Sequence, residues 1–409
     1  MGSKFNTIVF LRFFSVLMLS QINASAQTIP SSLTPAQLNN LSASVLRVDA
    51  DGMNNIIVIP QSPQAYIDSR DGQVYHTVCY GYAGNQDSQD HGAIRYTRRF
   101  AVYAPHADDL PIARRAARLL VLIYSEVHTR LKFDHPFGQA LFVFLNPNSY
   151  QNADAGGEQF RDRVYIFSIY SHRSPIEWMR EIAHEYGHYI LPGVTGFTSP
   201  EAWANGVLGE RLFLYWIGED TAAGNIDKKE LPFVTTKELE DYQALQTIPL
   251  ISRIQRRTIL SSSYFSRTDS TGMDDYTALV LYTTALYGSS QLRYAFSYTA
   301  PQPGTPLVKA PDFLKGVEHS LDSADSLLIH LPVNAHSKIA PLLIYLPKGQ
   351  WKLAFTSALK DWKIDTGIDF VHLLSTRNLL VHKSGWYATQ VTLNSASTVR
   401  TLLFTASRR

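Results

Sequence analysis

The chain has 409 residues, 37 Lys and Arg against 35 Asp and Glu, a formal net charge of +2 and one cysteine, Cys79. So even a balance argues against nucleic acid or an anionic membrane surface as partner. A single cysteine excludes an intrachain disulfide, and the length suggests two or three domains.

Residues 1–26 read as a signal peptide: Lys4 and Arg12 supply positive charge, Phe13 to Leu19 an apolar run, and Ala24-Ser25-Ala26 a cleavage site. The expected location is therefore secreted or periplasmic. Cleavage would remove Lys4 and Arg12, so 37 basic residues less two leaves 35, equal to the 35 acidic ones. No later stretch reaches 18 consecutive apolar residues, so no membrane span is expected after signal removal.

Residues 27–95 hold short β-like runs at 55–60 and 74–79 and a polar stretch at 84–92, and are expected to form an N-terminal β-rich module. Residues 96–320 are expected to be the catalytic domain. Within it 100–104 reads as a strand and 109–131 as an amphipathic helix, with Ile112, Ala116, Leu119, Leu120, Ile123 and Val127 inward and Arg114, Arg115 and Arg118 outward. Strands are expected at 141–145 and 164–170. The glycine pair in Asp154-Ala-Gly-Gly-Glu158-Gln reads as a surface loop, and Glu158 is not counted as a site residue.

Ser174-Pro175-Ile176-Glu177 is a capping box with proline in the first turn, so a helix of about 16 residues opens at Pro175 and stops at Pro192-Gly193. It carries His184-Glu185-Tyr186-Gly187-His188. Histidines four apart share a helix face, and two imidazoles can reach one metal ion. Glu185 beside them is placed to act as general base toward a metal-activated water. Gly187 costs about 1 kcal/mol relative to alanine, which makes sense if another backbone must come close.

A catalytic zinc site keeps three protein ligands. Glu201, 13 positions beyond His188, is the better candidate for the third and is expected to open a second helix that runs through Tyr215 and ends near Gly218. Its other reading is a carboxylate favoured at a helix N-terminus. Glu210 is the rival, but nine residues at about 100° each put it on the opposite side. Ala202, Gly206 and Gly209 form a smooth stripe for close packing on the histidine helix, and Asn205 can accept a hydrogen bond from a ligand histidine.

His184-Glu185-x-x-His188 followed by Glu201-Ala-Trp-Ala204 resembles the gluzincin zinc metallopeptidases. The resemblance implies one Zn²⁺ held by His184, His188 and Glu201, with Glu185 as general base and Asn205 where thermolysin-like members carry an outer aspartate. It departs from the family pattern at Ala202, where a glycine is usual, and in its short spacer. The resemblance also implies that the last strand before the histidine helix is a sheet edge that pairs with an extended substrate. It further implies a tyrosine that stabilises the oxyanion, for which Tyr276, on an expected helix at 274–287 with Tyr282, is the candidate.

Further helices are expected at 237–246 and 312–320, with a loop at 301–306. Residues 321–409 turn to short apolar runs at 327–331, 342–346, 351–355, 379–382, 389–393 and 401–404, expected to form a small β-sandwich domain of unknown ligand. The expected fold class is thus α+β, a gluzincin-like core between β-rich ends. The leading function is zinc-dependent hydrolysis of a peptide or protein substrate. The alternatives are a catalytically silent binding protein on the same scaffold, or a zinc hydrolase of a non-peptide bond.

Overall fold

β-Branched and aromatic runs in the first third of the chain fold as strands, and helices follow them. The computed structural model describes residues 31–34, 37, 57–61, 65–70, 72–90, 93–149, 156–299, 309–332, 339–354, 359–365, 370–372, 378–393 and 401–408. The expected signal peptide at 1–26 and the loop at 301–306 lie outside the described residues.

The strands are β1 (Ser32–Leu33), β2 (Ile57–Gln61), β3 (Tyr66–Ile67), β4 (Val74–Tyr75), β5 (Thr77–Asp90), β6 (Ala93–Ala104), β7 (Leu141–Leu145), β8 (Gly157–Phe160) and β9 (Arg163–Ile166). Seven of them form one mixed sheet in the order β2-β5-β6-β7-β9-β8, with β1 on β6. β6, β7 and β9 run parallel, and the other pairs are antiparallel. Phe100, Ala101, Val102, Tyr103 and Ala104 of β6 are all buried, because both faces of the sheet are covered. The β3–β4 hairpin lies on one face. Tyr66, Tyr75, Tyr103, Phe144 and Tyr165 cluster there, with Tyr103 and Phe144 stacked at 5.2 Å and Phe144 and Tyr165 at 5.1 Å. Such two-sided burial is why these strands read as continuous apolar runs rather than as alternation.

The opposite face packs on α1 (Leu110–Leu131), which supplies Ala113, Ala116, Leu119, Leu120, Ile123 and Val127 to the core. α2 (Pro175–Ile190) and α3 (Asn205–Ala223) follow, then α4 (Thr236–Tyr242), α5 (Ile248–Gln255), α6 (Ser270–Tyr287), α7 (Ser289–Thr299) and α8 (Ala310–Asp322). Gly218, expected to end α3, lies inside it. Gln243 packs where a Cβ would stand and donates from Nε2 to the carbonyls of Leu214 (3.2 Å) and Tyr215 (3.1 Å), so this glycine makes room rather than a stop. Gly224, at φ 83°, ends the helix instead.

The last strands are β10 (Ser326–Pro332), β11 (Ile339–Leu346), β12 (Gly349–Ala354), β13 (Leu359–Asp365), β14 (Phe370–His372), β15 (Asn378–Val381), β16 (Gly385–Leu393) and β17 (Thr401–Arg408). They make two four-stranded antiparallel sheets, β10-β17-β12-β15 and β11-β16-β13-β14. β13 and β14 were not anticipated from the sequence. β11 buries residues on both faces because it also docks on the helices. Tyr282 Oη donates to Leu343 O (2.7 Å) and accepts from Leu343 N (3.1 Å), and Tyr287 Oη accepts from Tyr345 N (2.6 Å).

The fold class is therefore α+β. Residues Ser32–Arg409 form one compact unit, with a continuous buried core running from Cys79 to Leu393. The division expected at 95/96 falls within β6, and that at 320/321 within α8. Among the described residues, no helix is long and apolar enough to cross a membrane.

One expectation is corrected here. The strand before the histidine helix, β9, is not an edge: it lies between β7 and β8. The edge is β8, in the segment read as a loop. A tight turn through Arg161, at φ 57°, folds Gly157–Phe160 back antiparallel onto β9.

Candidate metal centre

α2 begins as its sequence dictates. The Glu177 carboxylate accepts hydrogen bonds from the backbone N and hydroxyl of Ser174, both at 2.7 Å, and Pro175 occupies the first turn. Its buried face, including Trp178, Met179, Ile182, Ala183, Tyr186 and Ile190, fixes its rotation. That rotation sends His184 and His188 into a cleft of about 1230 Å³, which Glu185, Glu201 and Asn205 also line. Behind the helix the buried Tyr186 hydroxyl meets His135 Nε2 at 2.8 Å.

α3 crosses α2 at contact between glycines. A Cβ on Gly187 would overlap Asn205 O and Gly209 Cα, and one on Gly209 would overlap Gly187 Cα. The glycine in the histidine motif therefore serves close helix packing.

Glu201 reaches the histidines by a route different from the one expected. α3 starts at Asn205, not Glu201. Residues 191–204 instead turn back on themselves: Thr195 and Trp203 form an antiparallel bridge, and Ala204 N bonds Val194 O at 2.9 Å. This holds Glu201 in front of the helix. Its two oxygens then do separate jobs. Oε1 accepts from Val207 N (3.2 Å), capping α3, while Oε2 lies 3.0 Å from His188 Nε2 and 3.4 Å from His184 Nε2. One carboxylate thus both caps α3 and meets the two histidines.

The two Nε2 atoms are 3.2 Å apart, so the triad has edges of 3.0, 3.2 and 3.4 Å. Donors at 2.0–2.1 Å around a tetrahedral zinc would stand about 3.3 Å from one another, so the donor set fits that ion. His184, His188 and Glu201 are the only such three-residue group among the described residues. Asn205 sets the tautomer of His188. Its Nδ2 donates to His188 O (3.1 Å), leaving Oδ1 to accept from His188 Nδ1 (3.0 Å) and Nε2 free to bind metal.

Gly206 is the residue whose importance the sequence reading understated. A Cβ there would overlap the Nε2 atoms of both histidines. Gly206→Ala should weaken zinc binding by about 10–100-fold, comparable to losing an outer hydrogen-bonding partner. Alanine favours a helix by about 1 kcal/mol over glycine, so thermal stability of the metal-free protein should hold. Zinc titration against a competing chelator checks this; undiminished affinity would contradict the convergence on Gly206.

Rival Glu210 is engaged elsewhere. It accepts from Arg180 Nε (2.7 Å) and Tyr242 Oη (2.8 Å) and pairs with Arg211. Tyr276 is not brought to the site. It is fully buried against Phe197 and Phe313, its hydroxyl has no hydrogen-bond partner among the described residues, and it does not line the cleft. The apolar packing of α6 keeps Tyr276 in the core. Glu158 does line the cleft, held by an ion pair to Arg70 at 2.6 Å.

Charge at the triad is strongly coupled. Burial raises the Glu185 carboxyl to about 7, against the opposing pull of His184 and His188. Burial would lower His184, but the Glu201 hydrogen bond and the Glu185 and Glu201 charges outweigh it and raise it to about 9. Burial would raise Glu201, yet its hydrogen bonds with His184 and His188 hold it at about 2. For the metal-free protein the signs follow from linkage. Glu201 stabilises above its ordinary 4.5 and loses that contribution as pH falls toward about 2. Glu185 disfavours folding increasingly as pH rises from 4.5 to about 7, and the His184 contribution fades from 6.5 to about 9. Thermal midpoints measured with chelator should therefore fall as pH rises from 5 to 9, and zinc should reverse that slope. A midpoint flat across this range would contradict the coupling.

Compared with known proteins, the chain matches no family model, and no curated protein aligns with it significantly.

Proposed function

We propose that the protein is an exported zinc metallopeptidase of gluzincin type, hydrolysing peptide bonds in an extended substrate. The observation that carries the reading is the meeting of His184, His188 and Glu201 at zinc-ligand spacing, with Glu185 beside them in the same cleft. Zinc, when bound, supplies Lewis-acid polarisation of the scissile carbonyl and of water.

The chain's own residues supply the rest. Glu185 takes the proton from the attacking water and returns it to the departing amine. Its carboxylate rests on Gly157 of β8, where a Cβ would overlap it, so base and edge strand are adjacent. The backbone edge of β8, which no described strand pairs, offers hydrogen bonds to an extended chain, aligning the scissile carbonyl with the base. Asn205 holds the His188 ring. His172 and Arg173, which line the cleft, replace Tyr276 as candidate donors to the developing oxyanion.

The test combines metal content per chain with cleavage of a mixed peptide library by the same sample. One zinc per chain with library cleavage abolished by chelation is the expected result. One zinc without cleavage would favour a catalytically silent binding protein on the same scaffold, and absence of zinc would overturn the site.

A further inference from the structure

Besides the base Glu185, one carboxylate in the cleft wall makes no hydrogen bond or ion pair among the described residues. Glu181 lies one turn before Glu185 on α2 and lines the same cleft. Its carboxylate sits against the Cα of Gly156, at the start of the edge strand, so closely that a Cβ there would overlap all three carboxylate atoms. Other acids lining the cleft each have a partner: Glu158 pairs through Oε1 with Arg70, Glu177 with Ser174, Glu201 with the two histidines and Glu210 with Arg180, Arg211 and Tyr242. Among the described residues Glu181 makes no hydrogen bond or ion pair. Arg180 pairs with Glu210 at 2.7 Å and Arg173 donates to Gly156 O at 3.1 Å, so Arg173 and His184 reach Glu181 through their charge and not through a hydrogen bond.

A half-buried carboxylate without a partner is unfavourable unless a cation meets it. Here the open side is the cleft itself, four residues along the helix from the base, about 6 Å of axial rise. A substrate chain laid along β8 would pass over Gly156 and Gly157, and so over Glu181 and Glu185 in turn.

We propose that Glu181 is a specificity residue that receives a cationic nitrogen of the substrate, either a Lys or Arg side chain or the free N-terminal ammonium. The proposal rests on the peptidase reading for its substrate class, and it makes the enzyme selective for peptides with a positive charge next to the scissile bond. An ammonium there would form a charge-assisted hydrogen bond with Glu181 Oε.

Equilibrium binding tests it without turnover. The full chain carrying Glu185→Gln is titrated with tetra-alanine peptides bearing a single lysine or its neutral isostere norleucine at each position, each with a free or acetylated N-terminus. The expected result is that at one position lysine, or at the N-terminus the free amine, binds about tenfold more tightly than its neutral counterpart, the difference one charged hydrogen bond makes. Adding Glu181→Gln should equalise the two. A side-chain source is shown by a preference that survives acetylation, an N-terminal source by one that acetylation removes. Equal binding of charged and neutral peptides, a preference that persists in Glu181→Gln, or no binding by any peptide each overturns the proposal. The peptidase reading fails separately, if the protein with Glu185 intact binds these peptides and leaves them whole.

Discussion

Glu185→Gln should keep bound zinc and lower peptide turnover by about a thousandfold, within the 10²–10⁴ that general acid–base catalysis contributes. Glutamine is nearly isosteric, so the fit of this side chain over Gly157 survives the change. What it loses is the ability to accept a proton. Glu185 is 4% exposed, and its burial raises the carboxyl to about 7. A base titrating near neutral pH combines a usable ionised fraction with enough proton affinity to drive the transfer. The charge of a bound zinc would draw that value down and leave more of the base ionised. None of the three candidate donor atoms belongs to Glu185, so metal content should be unchanged. Zinc content and cleavage rate are measured on one sample of the variant. Turnover at the unsubstituted rate would remove Glu185 from the mechanism.

The parts of the site written in local sequence were legible, and those made by chain return were not. The capping box at Ser174 and the four-residue histidine spacing fix α2 and its face within one helix, and the helix runs Pro175–Ile190 as the caps require. Asn205 follows Glu201 by one turn on the helix expected to hold both; it does meet His188, although α3 begins only at Asn205 itself. Glu201 was legible as a residue but not as a conformation. Helical periodicity carried α3 back to Glu201, whereas the Thr195–Trp203 bridge, a pairing across eight residues, keeps 201–204 out of the helix. β8 was missed because Gly-Glu-Gln-Phe has neither alternation nor β-branched residues. Its strand form comes from pairing with β9, and its glycines from the close approach of Glu181 and Glu185. Glu181 itself shares a helix face with Glu185 and could have been picked out by that spacing. Tyr276 failed for the opposite reason: with 22 tyrosines in the chain, position along the sequence selects poorly among them.

Glu201→Ala and Glu210→Ala separate metal binding from structure. Glu201 contributes the one anionic donor of the triad, through Oε2 at 3.0 and 3.4 Å from the histidines. Its loss should weaken zinc by more than the roughly 10–100-fold that follows removal of an outer partner, because a ligand itself is gone. The same substitution removes the Oε1 acceptor of Val207 N, so the metal-free protein should also lose about 1 kcal/mol, the usual value of a helix cap. Without Glu201 the principal group raising His184 disappears, and the decline in stability between pH 6.5 and 9 should flatten. Glu210→Ala acts the other way round. It leaves Arg180, Arg211 and Tyr242 without their shared acceptor, and since the Arg180 side chain is 41% exposed, water replaces part of what is lost. A cost of about 1–3 kcal/mol in denaturant unfolding is expected, with zinc affinity nearly unchanged. If Glu210→Ala released the metal while Glu201→Ala retained it, Glu201 would be only the cap of α3. The ligand assignment would then rest on His184 and His188 alone, and the gluzincin reading would have to be withdrawn.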